Sequence, residues 1–219
     1  MTRFLLLKLV GPMQAWGEHT LETYRPVHPF PTRSGLVGLL GACLGLDGQQ
    51  RAELCALDAS FRLAVRADQD PRRPYEASTI TDFHTVSPVR RADGQLSPYP
   101  LVTRREYLCD ASFTAALAFL PDGRFRHEEV VAAVNNPRHT PYLGRRSCPL
   151  GRPLLEGEVR AESLAAALAQ VPPHTGVIYS EDPEGHHSQL RVRDVILPGR
   201  NRSFGTRWVY IRAEREGLA

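Results

Sequence analysis

The stretch from Arg3 to Val10, RFLLLKLV, constrains the fold more than any other part of the chain. It is too short and too uniformly apolar for an amphipathic helix, so it reads as a central β-strand buried on both faces. A secretory leader is the competing reading. Lys8 interrupts the apolar run, Gly11-Pro12 ends it, and no small-residue cleavage site follows. Nowhere does the sequence approach the ~18 consecutive apolar residues of a membrane span, which predicts a cytoplasmic, soluble protein. With 219 residues and 42% hydrophobic content, the chain can bury a full core as one large domain or as a domain with a small appendage.

The pattern after that strand alternates between sheet and helix. Gly11, Pro12 and Gly17 mark a loop carrying Gln14 and Trp16. Thr32 or Ser34 caps a helix whose apolar face is Leu36, Leu39, Leu40 and Cys43, running to about Leu46. On the opposite face Gly38, Gly41 and Gly45 cluster, which implies close approach of another backbone, with protein packing favoured over nucleic acid. A second helix is expected over Gln49–Leu57 and a half-exposed strand over Ser60–Ala67. Residues 68–110, rich in Pro and polar side chains, form a long excursion from the core, with ADGQ at 92–95 supplying a hairpin turn. Strand Ala111–Leu120, helix Arg126–Asn135 and strand Leu154–Arg160 complete a strand-helix-strand-strand-helix-strand order, the order of ferredoxin-like α+β folds. An alanine-rich helix over Glu162–Gln170 and strands at Gly176–Ser180, Gln189–Leu197 and Thr206–Arg212 make a small C-terminal extension. The domain expectation is therefore a core over residues 1–160, including the excursion at about 68–110, and an extension over 161–219.

Charge narrows the chemistry. Lys8 is the single lysine among 27 Lys and Arg residues, and although a GC-rich genome inflates arginine codons, arginine also offers the planar fork that phosphates and base edges accept. Residues 130–153 hold four arginines and no acid; residues 186–212 hold six arginines and only Asp194. Two basic segments in a chain of net charge +3 favour a localised polyanion site, because attraction between exposed charges fades within a Debye length of ~8 Å. Cys43, Cys55, Cys109 and Cys148 contain no C-x-x-C pair, the histidines complete no zinc spacing, and no P-loop, dinucleotide fingerprint or G-x-S-x-G elbow occurs. No metal or other cofactor is expected. What remains is binding of single-stranded RNA by aromatics and arginines, with core anchoring an equal alternative for Trp16 and Tyr142.

GPMQAWG, FPTRSGLVGLLGACLG, DFHTV, RREYLCDASF, TPYLGRRSCPLG and IYSEDPEGHH, in that order along most of the chain, resemble the CasD family of type I-E Cascade. The resemblance implies a RAMP-superfamily (RRM-like) ferredoxin-like core with a β-hairpin thumb, here the excursion. It also implies a non-catalytic role in CRISPR antiviral defence, capping the Cascade backbone by holding the 5′ handle of the crRNA. The implied partners are the backbone subunit and the large subunit that reads the PAM, with target DNA met indirectly through the complex and no membrane involved. A sister branch in type I-C cuts precursor crRNA with tyrosine, histidine and lysine, so a metal-independent endoribonuclease is the alternative. Lys8, inside the first strand, argues against it. On this resemblance Arg138, Tyr142, Arg145 and Arg146 are expected to grip the handle, with Gly144 and Gly151 letting backbone come close. Thr32, Arg33, Ser34 and Gly35 would receive a phosphate at a helix start, and Gln14 and Trp16 would read or stack on a base. Asp82, His84, Arg104 and Arg105 would contact RNA at the thumb.

Overall fold

The computed structural model describes residues 1–18, 23–69, 78–90, 93–199 and 203–214. It is a mixed α/β protein, mostly strands with few helices. In chain order the elements are β1 (Thr2–Val10), β2 (Met13–Gln14), β3 (Tyr24–Arg25), α1 (Arg33–Leu44), α2 (Arg51–Asp58), β4 (Phe61–Asp68) and β5 (Ser78–Val86). There follow β6 (Val89–Arg90), β7 (Leu96–Ser97), β8 (Leu101–Cys109), β9 (Ser112–Phe119) and α3 (His127–Asn135). The chain closes with β10 (Leu155–Ala161), α4 (Leu164–Leu168), β11 (Gly176–Ser180), β12 (Ser188–Ile196) and β13 (Phe204–Glu214). No helix among the described residues is long and apolar enough to cross a membrane.

Seven strands form the main sheet in the order β10-β1-β9-β4-β11-β13-β12, each antiparallel to its neighbours. The expected strand at the N-terminus is β1, and alternation of its side chains explains why it is apolar throughout. Leu5, Leu7 and Leu9 enter the core under α1, α2 and α3, while Phe4 and Leu6 enter the second core under α4. Each such leucine contributes about 1.5–3 kcal/mol relative to exposure, so a register slip of one residue would exchange two filled cores. Lys8 points into the second side, where its ammonium lies 2.6 Å from Asp68 Oδ2 and 3.2 Å from Thr114 Oγ1. Asp68 also accepts from the fully buried Arg66, whose guanidinium in turn donates to the carbonyls of Leu168, Val171 and Pro172. That arginine caps the end of α4. The alanine-rich helix is consequently shorter than its composition implies: Ser163 caps it, and the turn after Leu168 runs into Pro172-Pro173.

The glycine face of α1 has protein causes where it has any. A Cβ on Gly41 would lie 2.8 Å from Leu54 Cδ2 of α2, and Gly45 is the left-handed C-cap at φ +81° with the Arg138 stem against it. Gly38 is exposed, with nothing within 4 Å of such a Cβ.

Residues of the expected excursion form a ribbon in which β5 pairs β8 antiparallel from Ser78↔Cys109 to Val86↔Leu101. β2 and β3 flank β8 at its base, and β6 with β7 forms a small separate pair. Gly94, at φ +85°, makes part of the expected ADGQ turn; Ala92 lies outside the described residues. The C-terminal strands β11, β13 and β12 widen the main sheet beyond β4.

Candidate nucleic-acid interface

The loop of residues 139–153 is basic at its tip and fixed at its root. Its root is stitched to the end of β1 and to the following loop: Ala15 N–H donates to Leu143 O at 3.0 Å, Gly151 N–H to Val10 O at 2.7 Å, and Lys8 N–H to Leu154 O at 2.8 Å. Leu143 and Cys148 are buried and pinch the loop, with Leu143 N–H donating to Cys148 O at 2.8 Å. Gly144 sits at φ +86°, and a Cβ there would stand 2.0 Å from Ala15 O. Only glycine satisfies both the left-handed conformation and that approach, so the close backbone contact at Gly144 is with the protein's own chain. Gly151 is likewise packed on Val10 and Gly11.

The tip carries Arg145 and Arg146, which differ. Arg145 lies over the Tyr107 ring at 4.7 Å and donates to the carbonyls of Glu106 at 2.9 Å and Arg25 at 3.4 Å, tying the loop to the ribbon base. Arg146 is exposed and has no hydrogen-bond or ion-pair partner among the described residues. Tyr142 is half-buried and bridges Pro149. Arg138 is exposed and separate: its backbone N–H donates to Cys43 O at 3.0 Å, closing the end of α1, and its stem covers Gly45.

On the ribbon, register sets Asp82 opposite Arg105 and Phe83 opposite Arg104. The Arg104 guanidinium lies 5.2 Å from the Phe83 ring centre, Arg105 Nε donates to Thr103 Oγ1 at 3.1 Å, and His84 Nδ1 is 3.3 Å from Asp82 Oδ2. Beside them β3 aligns Tyr24 with Arg104 and Arg25 with Arg105. The Tyr24 hydroxyl donates to the Glu106 carboxylate, which also accepts from Val27 N–H at 3.1 Å. That hydrogen bond, with burial and the nearby negative charge adding to it, raises the Tyr24 pKa above the ordinary phenol value. Tyr24, Arg25 and Phe83 therefore join this surface, with buried Tyr107 beneath Arg145, without having been singled out from sequence. The only signal was an aromatic beside a guanidinium, as in Tyr24-Arg25 before Pro26.

Two sets of expected ligands are elsewhere. Gln14 and Trp16 are fully buried: Trp16 Nε1 donates to Gln14 Oε1 at 3.0 Å, and Gln14 Nε2 donates to the carbonyls of Leu9 at 3.1 Å and Ala111 at 2.7 Å. They anchor the loop after β1 to the core and offer no face to a base. Thr32–Gly35 are also committed internally. Thr32 Oγ1 accepts from Gly35 N–H at 3.3 Å, Gly35 packs on the Trp16 ring, and Arg33 N–H donates to Asp194 Oδ2 at 2.7 Å. Ser34 is half-buried beside them. A carboxylate from β12 thus occupies the helix start where a phosphate was expected. The Arg33 side chain is buried, pairing with Asp58 Oδ1 at 2.6 Å and with Glu181 and lying 4.8 Å from the Phe61 ring centre. Arg207 adds a second guanidinium, 2.8 Å from Asp194 Oδ1. Burial by itself lowers the Arg33 pKa, and Glu181 with Asp58 more than reverses that. Asp58 moves up as well, since burial and the neighbouring carboxylates outweigh its pairing with Arg33.

The loop sets a rigid root, one pinned arginine and one free arginine against a ribbon base whose alternating side chains put Arg105 and Tyr107 on the loop's face and Arg104, with Phe83 and Tyr24, on the other. Such a surface can bind a strand of phosphates and offer rings to bases. Residues 4–210 match a family described as CRISPR-associated protein, Cas5. The CRISPR system Cascade subunit CasD of Escherichia coli strain K12 is 45% identical over 216 residues, covering 96% of each chain. Among solved structures, a chain of a CRISPR RNA-guided surveillance complex aligns with a TM-score of 0.69 at 25% identity, over 96% of this chain and 89% of that one. A Cas protein crystal structure aligns with a TM-score of 0.65 at 29% identity, over 96% and 94%.

Proposed function

The chain belongs to the Cas5 family of CRISPR-associated proteins, and on that premise we propose that it is the non-catalytic Cascade subunit holding the 5′ handle of the crRNA. The observation that carries this reading is the carboxylate-free loop: Arg145 is locked against Tyr107 and the ribbon base, which seats the loop, with the exposed Arg146 beside it, against the strand that carries Arg104 and Arg105. A prearranged cationic surface loses little entropy on binding, which favours a retained ligand. Arg104, Arg105, Asp82 and His84 act on the ribbon, which serves as the thumb, and Arg138 and Tyr142 act from either side of the loop. The core is read as ferredoxin-like, supported by the order β10-β1-β9-β4 with α1 and α3 as its crossovers. Residues 1–160 form that core with the thumb, and 161–219 extend it. The partners are the backbone subunit and the PAM-reading subunit, in the cytoplasm, with target DNA engaged through the complex.

Cleavage of precursor crRNA by this chain is disfavoured by two contacts. Lys8 is held by Asp68 inside the sheet, and the Tyr24 hydroxyl donates to Glu106 with its pKa raised, away from use as a base at neutral pH. Incubating the purified chain with labelled repeat RNA, with and without EDTA, tests the whole reading. Retention of intact RNA is expected. Site-specific scission in EDTA would make the protein a metal-independent nuclease, and absence of both would leave it an architectural bridge.

A further inference from the structure

Strands β12 and β13 close the sheet at the edge opposite β10, and their two faces are unlike. The inner face holds Val192, Val209 and Asp194, all buried. Asp194, the one acid between His186 and Arg212, is turned inward onto Arg33 N–H and Arg207. The outer face is left with Gln189, Arg191 and Arg193 of β12 beside Thr206, Trp208 and Tyr210 of β13. Register sets Arg191 opposite Trp208 and Gln189 opposite Tyr210. The helix α4 packs chiefly on β1, β4, β9, β10 and β11, and Trp208 stays 49% exposed.

Charge on an edge strand is an ordinary defence against edge-to-edge pairing, and Arg191 and Arg193 by themselves need no other explanation. An open indole between them is the reverse of such a defence. The arginines are also prearranged. Arg191 Nε and Nη2 both donate to Thr206 Oγ1, at 3.2 and 3.1 Å, and Arg193 Nε donates to Phe204 O at 3.0 Å, which lays both guanidiniums across the neighbouring strand with further donors free. Protein hot spots also favour Trp, Tyr and Arg, so what points to a polyanion is the charge: both guanidiniums keep donors free on this face, and the one acid between His186 and Arg212 is turned to the other side.

We propose that this face is a second RNA contact, in which a base of single-stranded RNA outside the handle stacks on Trp208 while Arg191 and Arg193 hold the flanking phosphates. The proposal rests on the reading of the chain as a guide-RNA carrier but uses a surface separate from the arginine loop. The chain has two tryptophans, and Trp16 is fully buried, so quenching of the exposed fluorescence reports Trp208 directly. Titration with an oligouridylate of about 12 nucleotides, lacking any handle sequence, should quench that emission. Trp208→Leu should weaken binding of the same oligomer about tenfold by anisotropy, and Arg191→Gln with Arg193→Gln should weaken it further and flatten its salt dependence. Handle RNA, titrated in parallel, should bind Trp208→Leu as it binds the parent chain. Failure of handle binding with the oligomer still quenching Trp208 would strike the handle reading alone. Unchanged oligomer affinity in Trp208→Leu overturns the present proposal. So does tighter binding of the deoxy oligomer, which would assign the face to DNA, or loss of the variant from the assembled complex with RNA affinity intact, which would assign it to protein.

Discussion

Arg145 and Arg146 are adjacent in sequence and should respond differently to the same substitution. If Arg138, Arg145 and Arg146 each neutralise one phosphate, they supply about 2 units of the slope of log K against log salt, at ~0.7 per contact for a single strand. Their share of the affinity then falls roughly 15-fold between about 50 and about 200 mM salt. Arg146→Gln should remove about 0.7 from that slope, leaving a fall of roughly sevenfold, and should leave thermal stability unchanged because the exposed side chain makes no hydrogen bond or ion pair among the described residues. Arg145→Gln should remove a similar slope and also destabilise the fold. It breaks donations to Glu106 O and Arg25 O and the contact with Tyr107, together about 2 kcal/mol, or a Tm lower by roughly 4–8 °C in a chain of this size. Fluorescence anisotropy of handle RNA at several salt concentrations gives the slopes, and differential scanning fluorimetry gives Tm. Equal Tm values for the two variants would refute the pinned-and-free distinction. An unchanged salt slope in Arg146→Gln would remove the loop from the RNA path.

Gly144→Ala should abolish handle binding and cost about 2 kcal/mol or more of stability, since a methyl group at φ +86° would stand 2.0 Å from Ala15 O; anisotropy and urea titration check both effects. Lys8→Met should destabilise by about 1.5–3 kcal/mol, measured by urea denaturation, because buried Asp68 loses the ammonium but keeps Arg66, Ser112 and Thr114, whereas adding Asp68→Leu should deepen the loss by leaving Arg66 buried without a counter-charge. The hydrogen bond from His127, with Arg3 assisting, holds the Glu158 pKa below the ordinary 4.5. A depressed carboxylate contributes stability that is present above 4.5 and disappears as pH falls through the lowered value, so Glu158→Gln should flatten the acid limb of the stability curve there. Burial pushes the Cys43 thiol up to about 11, so a thiol reagent at pH 8 should label Cys55 and Cys109 well before Cys43, read by peptide mass mapping.

The sequence was most legible where a side-chain period had one physical cause. RFLLLKLV could be read as a strand covered on both sides because nothing but two apolar layers accommodates six consecutive large side chains around one lysine, and Leu5 and Leu6 do enter opposite cores. Thr32 as a cap and the strand at Gly176–Ser180 follow from equally local rules. Individual ligands were less legible, because a residue that suits RNA suits a protein interior for the same reasons. Trp16 beside glycine offers a ring to a base or to Gly35, and the ring went to Gly35. Arg33 at a helix start attracts a phosphate or a carboxylate, and the carboxylates are Asp58, Glu181 and Asp194, the last 161 residues away. No local pattern announces a partner at that separation.

That capture of Arg33 has a consequence for where the functional surface can lie. The anchors Asp58, Glu181 and Asp194 come from α2, the end of β11 and β12, so the start of α1 is the point where the C-terminal strands are fastened to the core. A helix start used as a fastener cannot also receive a guide, because the anion would have to displace three carboxylates from two guanidiniums in a buried site. Cations that the fastening does not consume include Arg138, Arg146, Arg104 and Arg105 as well as Arg191 and Arg193. The acids of the chain thereby determine which of its many arginines remain available to bind. Asp194→Asn should loosen the C-terminal strands, raising amide exchange across β12 and β13 while leaving β1 and β9 protected, and uniform protection across the sheet would show the fastening to be unnecessary.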